Sequence, residues 1–187
     1  MAKRLGAKIM QVSPGYLSTV QARAREYSHE VGARLAPFGV DTPQAIEAIA
    51  AAARSIGIQP DEVWCASGSG VLARALERAW PKARRQVVQV GRTLSGDEVA
   101  GATIHVCNLP FGRASKKRPP FRSDPHYDAK AWEVCAALKG PGRVLFWNVA
   151  GPALLENRVG QSKWSSLPAN YATLLTRASA NGGVSNG

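Results

Sequence analysis

Apolar residues recur along this chain at two spacings, one typical of helices and one typical of buried strands. The helical spacing predicts four helices, over about residues 18–35, 43–57, 71–80 and 127–138. Short apolar runs between these segments predict four strands, around Val63-Trp64 and over residues 86–91, 103–107 and 144–149. Because helices alternate with apolar strands, the expected fold is α/β: a single three-layer domain with a mostly parallel central sheet.

The domain is expected to cover residues 1–178, since a chain of 187 residues suits one domain with a sizeable core. Residues 179–187 are polar and contain glycine, so they are predicted to be a disordered tail. The run over 144–149 is apolar enough to predict a central strand. Thr42 and Pro43 predict a capped helix start, and the alanine-rich face that follows predicts close packing on the sheet.

The first predicted strand passes into a helix through Ser67-Gly68-Ser69-Gly70. Such a turn can direct several main-chain N–H groups outward at the positive end of the helix dipole, which favours a bound phosphate. The glycines allow close approach of the ligand, and the two serine hydroxyls add donors. A tight connection without any ligand would explain the same residues, so the pattern favours a phosphate site without proving one.

A second glycine turn, Ala150-Gly151-Pro152, follows the last strand. Ligands of parallel α/β sheets bind outside the carboxyl ends of the strands, where both glycine turns would lie. Gly151 is therefore a second predicted phosphate contact. Asn148, at the end of the same strand, would either bind ligand or satisfy a neighbouring loop.

A long connection over residues 108–127 is rich in proline and positive charge, including Lys116, Lys117 and Arg118. Long irregular connections in compact domains are usually functional or disordered. These three cations are predicted to form an anion-binding lid, and a solvated linker is the alternative. Arg92, just past the second strand, is a further candidate for binding an anion.

Net charge indicates the class of partner, and cysteine content indicates whether disulfides or a metal site are expected. The chain has 24 lysines and arginines against 13 acidic residues, a net charge of +11, which indicates an anionic small molecule or nucleic acid as partner. No apolar run reaches the length of a membrane span, and the basic start lacks a signal-peptide core, so a cytoplasmic location is expected. The three scattered cysteines predict neither disulfides nor a metal site.

The order of these elements resembles that of type I phosphoribosyltransferases. The resemblance implies that residues 67–70 bind pyrophosphate, that residues 148–152 bind the ribose phosphate, and that Mg²⁺ assists. Asn148 stands where that family has an acidic residue, and no Thr-Gly-x-Thr follows. Arg92 and Asn148 would then be catalytic residues of a transferase in nucleotide or base metabolism, with Asp97 and Glu98 as metal candidates.

The Ser67–Gly70 turn also resembles the phosphate loop of pyridoxal-phosphate enzymes of the tryptophan synthase β type. That resemblance implies pyridoxal phosphate as cofactor and a lysine that forms an imine with it. Lys130 is the nearest candidate, although it lies in a predicted helix and follows the glycine turn in sequence. A third hypothesis is a basic protein that binds or modifies nucleic acid. The sequence leaves the oligomeric state open.

Overall fold

The computed structural model describes residues 8–13 and 16–149. Residues 10–152 form one compact unit, and residues 1–9 with 153–187 form another, of which only Lys8 and Ile9 are described. The predicted tail over 179–187 and the single domain over 1–178 therefore stay predictions.

The compact unit has four helices and four strands within the described residues. The helices are α1 (Leu17–Glu30), α2 (Pro43–Ser55), α3 (Val71–Ala79) and α4 (Asp128–Leu138). The strands are β1 (Glu62–Ser67), β2 (Arg84–Gln89), β3 (Thr103–Val106) and β4 (Val144–Trp147). Two short 3₁₀ turns, Phe38–Val40 and Asp97–Val99, complete the described elements.

The strands form an all-parallel sheet in the order β3-β2-β1-β4, with helices on both faces. The predicted α/β, three-layer architecture is confirmed. Alternation along β1 shows the two layers directly. Val63 and Cys65 join the apolar cluster formed with α2 and α3, whereas Trp64 and Ala66 join the cluster formed with α4. Every residue of β1 is buried, because the strand has neighbours on both sides and helices on both faces.

Among the described strands β4 lies at an edge of the sheet, so its prediction as a central strand is not confirmed there. Its four residues are all only partly buried. The apolar sequence of β4 reflects packing on its two faces: Trp147 lies edge-on to Trp80, and Phe146 packs against Trp132. Burial of the faces does not reveal how many strand neighbours a segment has.

Helix α2 begins as predicted, since the Thr42 hydroxyl accepts a hydrogen bond from the Ala45 N–H at 3.1 Å. Its alanine-rich face packs against α3 and joins the same apolar cluster as Val63 and Cys65 of β1, which agrees with the predicted packing on the sheet. Ala50 and Ala53 are fully buried there. Small side chains let two helices approach closely. An alanine-rich face has the same sequence pattern whether a helix or a sheet packs against it.

Two other predicted apolar faces differ from the structure. Helix α1 ends at Glu30, short of the predicted end at residue 35, and none of its residues is fully buried. In α4, Leu138 is 58% exposed, while Asp128 and Lys130 are buried. The stripe predicted for α4 is therefore partly wrong, because the helix turns a polar side chain towards the loop before it.

A buried carboxylate ties the amino end of the sheet together. Glu62, 3% exposed, accepts hydrogen bonds from Trp64 Nε1 at 2.5 Å, Gly140 N at 3.0 Å and Arg84 Nε at 3.1 Å. Burial alone would raise the pKa of Glu62, but these three donors outweigh it and lower the pKa. The bonds link β1, β2 and the turn before β4, at the end of the sheet opposite the Ser67–Gly70 turn.

Candidate functional site

The Ser67–Gly70 turn lies at the carboxyl end of the central strand and leads directly into α3. The Ser67 hydroxyl accepts a hydrogen bond from the Gly70 N–H at 3.0 Å, which closes the turn. Gly70 has φ +82°, and a Cβ there would overlap the Glu98 carbonyl oxygen. Only glycine combines that left-handed backbone with the space that the 3₁₀ turn Asp97–Val99 leaves.

The main-chain donors of the turn fall into two groups. The Gly68 N–H is directed at the Tyr127 hydroxyl, and the Gly70 N–H is held by Ser67. The N–H groups of Ser69, Val71 and Leu72 have no acceptor among the described residues. A helix leaves its first N–H groups without intrahelical partners, and a nine-residue helix begins here. Within the described part of the chain, these three N–H groups are therefore free to bind a ligand.

One side of the turn is covered. Gly39, in the 3₁₀ turn Phe38–Val40, lies so close that a Cβ there would overlap the Ser69 side chain. Gly39 has φ +71°, so the covering segment itself depends on a glycine. The approach to the turn is therefore restricted to the cavities beside it.

A cavity of about 280 Å³ opens on the turn and is called the turn cavity here. Ser67 and Ser69 line it together with Tyr127 and Trp147, and no described residue lining it is charged. Burial, with contributions from Cys65 and Asp128, raises the pKa of Tyr127 to about 12. Tyr127 is therefore neutral at physiological pH, so the turn cavity presents hydroxyls, main-chain N–H groups and apolar walls.

A second cavity, of about 470 Å³, lies on the other side of Ser69. Its charged lining is Arg74 and Arg92 against three carboxylates, so it does not favour an anion. Asp41 pairs with Arg74 at 2.7 Å. The remaining two carboxylates are those of Asp97 and Glu98.

Arg92 supports the turn through its hydrogen bonds. Its Nε donates to the Gly68 carbonyl at 3.0 Å and its Nη1 to the Thr93 carbonyl at 2.9 Å, and the guanidinium pairs with Glu98. Hydrogen bonding from Arg92 lowers the pKa of Glu98 to about 2. Most of the donors of Arg92 are thus used within the protein, and its predicted catalytic role stays a prediction. The same pairing occupies Glu98, one of the two predicted metal candidates.

Lys130 is 1% exposed, and its Nζ donates to the Pro110 and Phe111 carbonyls at 2.8 and 3.1 Å. It lines neither of the two cavities beside the turn, and no other described lysine lines them. The described residues therefore do not bring an imine-forming lysine to the Ser67–Gly70 turn. Its catalytic role stays a prediction without a geometric partner at the turn.

The predicted lid cations lie away from the turn. Lys116 and Lys117 line a third cavity and not the two beside the turn, and Arg118 lines a neighbouring groove. Asn148 is exposed, and its Nδ2 donates to the Arg122 carbonyl at 3.0 Å, which satisfies a neighbouring loop. Gly151 lies outside the described residues.

The structure thus joins Ser67, Gly68, Ser69, Gly70 and Arg92 in one place. It places the three lid cations and Lys130 elsewhere.

Sequence reasoning missed two contributors to this rim, Gly39 and Tyr127. The sequence pattern marks Gly39 only as the end of a helix, although a glycine shortly after a proline also marks a turn that can lie against another backbone. The same pattern places Tyr127 in the apolar stripe of a helix. Nothing in the local sequence signals that its hydroxyl meets the Gly68 N–H, since the contact spans 59 positions and depends on how α4 packs.

Within the described residues, no helix is both long enough and apolar enough to cross a membrane. In the same part of the chain, no cluster of three or more histidine, cysteine, aspartate or glutamate side chains could hold a metal ion.

No protein-family model and no curated protein match this chain. The fold is similar to the crystal structure of an ACC deaminase homologue, with a TM-score of 0.64 and 15% sequence identity. The similarity covers 84% of this chain and 63% of that one, so this chain spans less than two thirds of the length of the protein it resembles. At this identity the similarity shows the fold alone. It gives no support to the phosphoribosyltransferase resemblance.

Proposed function

We propose that this chain is a small-molecule-binding domain of the pyridoxal-phosphate enzyme fold, in which the Ser67–Gly70 turn binds the anionic group of the ligand. The observation that carries the proposal is the set of main-chain donors at Ser69, Val71 and Leu72, which have no acceptor among the described residues. These donors lie beside a cavity at the beginning of a helix, where N–H groups and the helix dipole together favour an anion.

The uncharged lining of the turn cavity agrees with this role. Main-chain N–H groups at the beginning of a helix bind anions through their hydrogen bonds and the helix dipole, and this does not require a lysine or arginine in the cavity. The serine hydroxyls of Ser67 and Ser69 can add two donors. A carboxylate or a phosphate group meets these requirements equally well.

The size of the cavity favours a small ligand. Sites for drug-sized ligands span roughly 300–1,000 Å³, whereas the turn cavity has about 280 Å³. A molecule of amino-acid size with one anionic group fits this volume better than a phosphoribosyl compound would. The fold similarity supports the same choice, and it does not support a transferase of nucleotide metabolism.

The described residues fit anion binding but not imine formation. Pyridoxal phosphate, when bound to such an enzyme, supplies an electron sink through an imine with a lysine. Lys130 is held by two main-chain carbonyls and does not line the turn cavity. The proposal for the described part of the chain is therefore ligand binding, and no reaction step is assigned to it.

Nitrogen-15 NMR tests the proposal directly. Titration with inorganic phosphate and with acetate should shift the amide signals of Ser69, Val71 and Leu72, whereas Gly70 should shift less because its N–H is held by Ser67. Ser69→Ala should weaken binding about three- to tenfold, the expected loss for one hydrogen bond. Ser55→Ala removes a hydroxyl on the exposed side of α2 and is the matched control.

Two results would contradict the proposal. The first is that the amide signals of the turn do not shift when either anion is present at about 50-fold excess over the protein, which means millimolar concentrations of the anion. The second is equal weakening by both serine variants. Borohydride reduction in the presence of pyridoxal phosphate tests separately whether Lys130 can form an imine. We expect no reduced adduct on Lys130. An adduct there would show that its Nζ leaves the Pro110 and Phe111 carbonyls and becomes accessible.

Nucleic-acid binding remains a prediction that rests on the net charge of +11 and on the Lys116-Lys117-Arg118 cluster.

A further inference from the structure

A cavity away from the Ser67–Gly70 turn lies between the carboxyl end of β3, the loop after it and α4. Its volume is about 670 Å³, and it is called the basic cleft here. Four cations line it against a single carboxylate, that of Glu133: Arg113, Lys116, Lys117 and Lys130. The sequence placed the loop cations and Lys130 at the glycine turn, but the structure brings them together here.

Lys130 is the buried cation of the cleft, and it pairs with no carboxylate in the described part of the chain. Lys130 is 1% exposed, and no acidic group within the described ranges lies within salt-bridge distance of its Nζ. Main-chain carbonyls of Pro110 and Phe111 take two of its N–H donors, and the Phe111 ring lies 5.7 Å from Nζ. An ammonium has three donors, so one is left for a further partner.

A buried charge without a counter-ion is costly, and carbonyl dipoles compensate it only in part. Glu133 does not supply the missing charge, because it pairs with Lys117 at 3.8 Å and accepts from Ser115 at 3.0 Å. The remaining lining cations, Arg113 and Lys116, add to the positive potential of the cleft. An anionic group entering the cleft would therefore meet several uncompensated cations.

The walls of the cleft are aliphatic. Val106, Leu109, Val134 and Leu138 line it, and no aromatic side chain is among its lining residues in the described chain. Val106 and Leu138 are 63% and 58% exposed, which leaves apolar surface for a ligand to cover. Bases of single-stranded nucleic acid stack on aromatic rings, so this lining does not suit them.

We propose that the basic cleft binds an anionic amphiphile, a carboxylate or phosphate head on a saturated aliphatic body. The head would lie among Lys130, Lys116 and Arg113, and the body along the aliphatic walls. A volume of about 670 Å³ lies within the usual range of about 300–1,000 Å³ for small-molecule sites. This site is separate from the turn cavity, so it stands or fails independently of the proposed function.

Cys107 provides a single-site reporter because it lines the cleft and is only partly buried. The other two cysteines of the chain, Cys65 and Cys135, are buried. Alkylation by N-ethylmaleimide, followed by mass spectrometry, should therefore label Cys107 first. Unlabelled Cys65 and Cys135 would show in the same spectrum that an amphiphile has not unfolded the protein.

The experiment compares four probes below their micelle concentrations: decanoate, decyl phosphate, decanol and inorganic phosphate. Decanoate and decyl phosphate should slow the alkylation of Cys107 at least about fivefold, since each supplies both the charge and the body. Decanol and inorganic phosphate should slow it less than about twofold, since each supplies one of the two. Whichever anionic probe protects at the lower concentration identifies the preferred head.

Two surface variants separate the cleft from general positive charge without touching the buried Lys130. Lys116→Gln removes a lining cation and should weaken decanoate protection about threefold. Arg118→Gln removes the same charge two positions away, from a residue that does not line the cleft, and should leave protection unchanged.

Four outcomes would overturn the proposal. They are no protection by either anionic probe at millimolar concentration, equal protection by decanol, equal effects of the two variants, or stronger protection by a single-stranded oligonucleotide than by decanoate.

Discussion

Substituting Gly70 by alanine should destabilise the protein more than alanine at Gly57 or Gly68. Gly70 combines two demands that those two glycines do not combine, a left-handed backbone and a main-chain atom where a Cβ would lie. Its φ is +82°, and a Cβ would overlap the Glu98 carbonyl oxygen, with the Glu98 carbonyl carbon 2.9 Å away. Gly57 has φ +68° but nothing within 4 Å of the place that a Cβ would take, so it presents the first demand alone. Gly68 has neither, since its nearest neighbour would be the Val90 carbonyl oxygen at 3.5 Å.

The magnitudes follow from these differences. A left-handed residue with a Cβ costs about 1–2 kcal/mol, and alanine recovers about 0.4–1 kcal/mol by restricting the unfolded chain. Gly57→Ala should therefore lower the free energy of unfolding by about 0–1.5 kcal/mol. Forced overpacking adds about 1–3 kcal/mol, and a main-chain carbonyl cannot move aside as a side chain can, so Gly70→Ala should cost about 1–4.5 kcal/mol, towards the upper end of that range. Gly68→Ala should be neutral or stabilising by up to about 1 kcal/mol.

Urea denaturation of the three variants measures these differences, with the midpoint and the slope analysed separately. In a thermal scan, each kcal/mol should appear as about 2–4 °C in Tm for a chain of this size. If Gly70→Ala and Gly57→Ala cost the same, the Asp97–Val99 turn does not lie against the Ser67–Gly70 turn and the described rim is wrong. If Gly68→Ala is as damaging as Gly70→Ala, the turn is more tightly enclosed than the structure shows.

Three further predictions concern the polar contacts. Tyr127→Phe removes the acceptor of the Gly68 N–H and should cost about 1 kcal/mol in urea denaturation, and an unchanged stability would argue against that contact. Arg92→Gln should raise the pKa of Glu98 from about 2 towards its ordinary value of 4.5, measured by carbon-13 NMR titration, and a pKa that stayed low would show that Ser95 and the main chain hold it instead. Glu62→Gln places amide hydrogens against the donors that the carboxylate accepts, so it should destabilise the protein by about 1–3 kcal/mol at pH 7. Because the folded pKa of Glu62 is below 4.5, its contribution is present above pH 4.5 and is lost as pH falls through the folded value, so the two proteins should converge in acid.

The sequence was sufficient for the local elements and the fold class. Short apolar runs and apolar residues at helical spacing are properties of each segment by itself. For this reason β1, α2 and α3 were predicted nearly at their observed bounds, and so was the capping by Thr42. The Ser67–Gly70 turn was found in the same way, since a strand, two glycines and a helix signal it within fifteen residues.

The sequence did not show which elements pack against each other. The edge position of β4, the packing of α2 on α3 and the burial of Lys130 depend on which elements meet, and an apolar face has the same pattern whatever covers it. The fold similarity likewise gave no support to the phosphoribosyltransferase resemblance, because element order alone is shared by several α/β folds.

The charge of the chain shows the division most clearly. The sequence alone determined that cations are abundant after β3 and that donors are present at the glycine turn. Only the tertiary structure decided that these belong to two different places, a turn cavity without charge and a basic cleft around Lys130. The physical reason is that a long side chain on α4 binds the carbonyls nearest in space, and those belong to the loop after β3 rather than to the turn after β1.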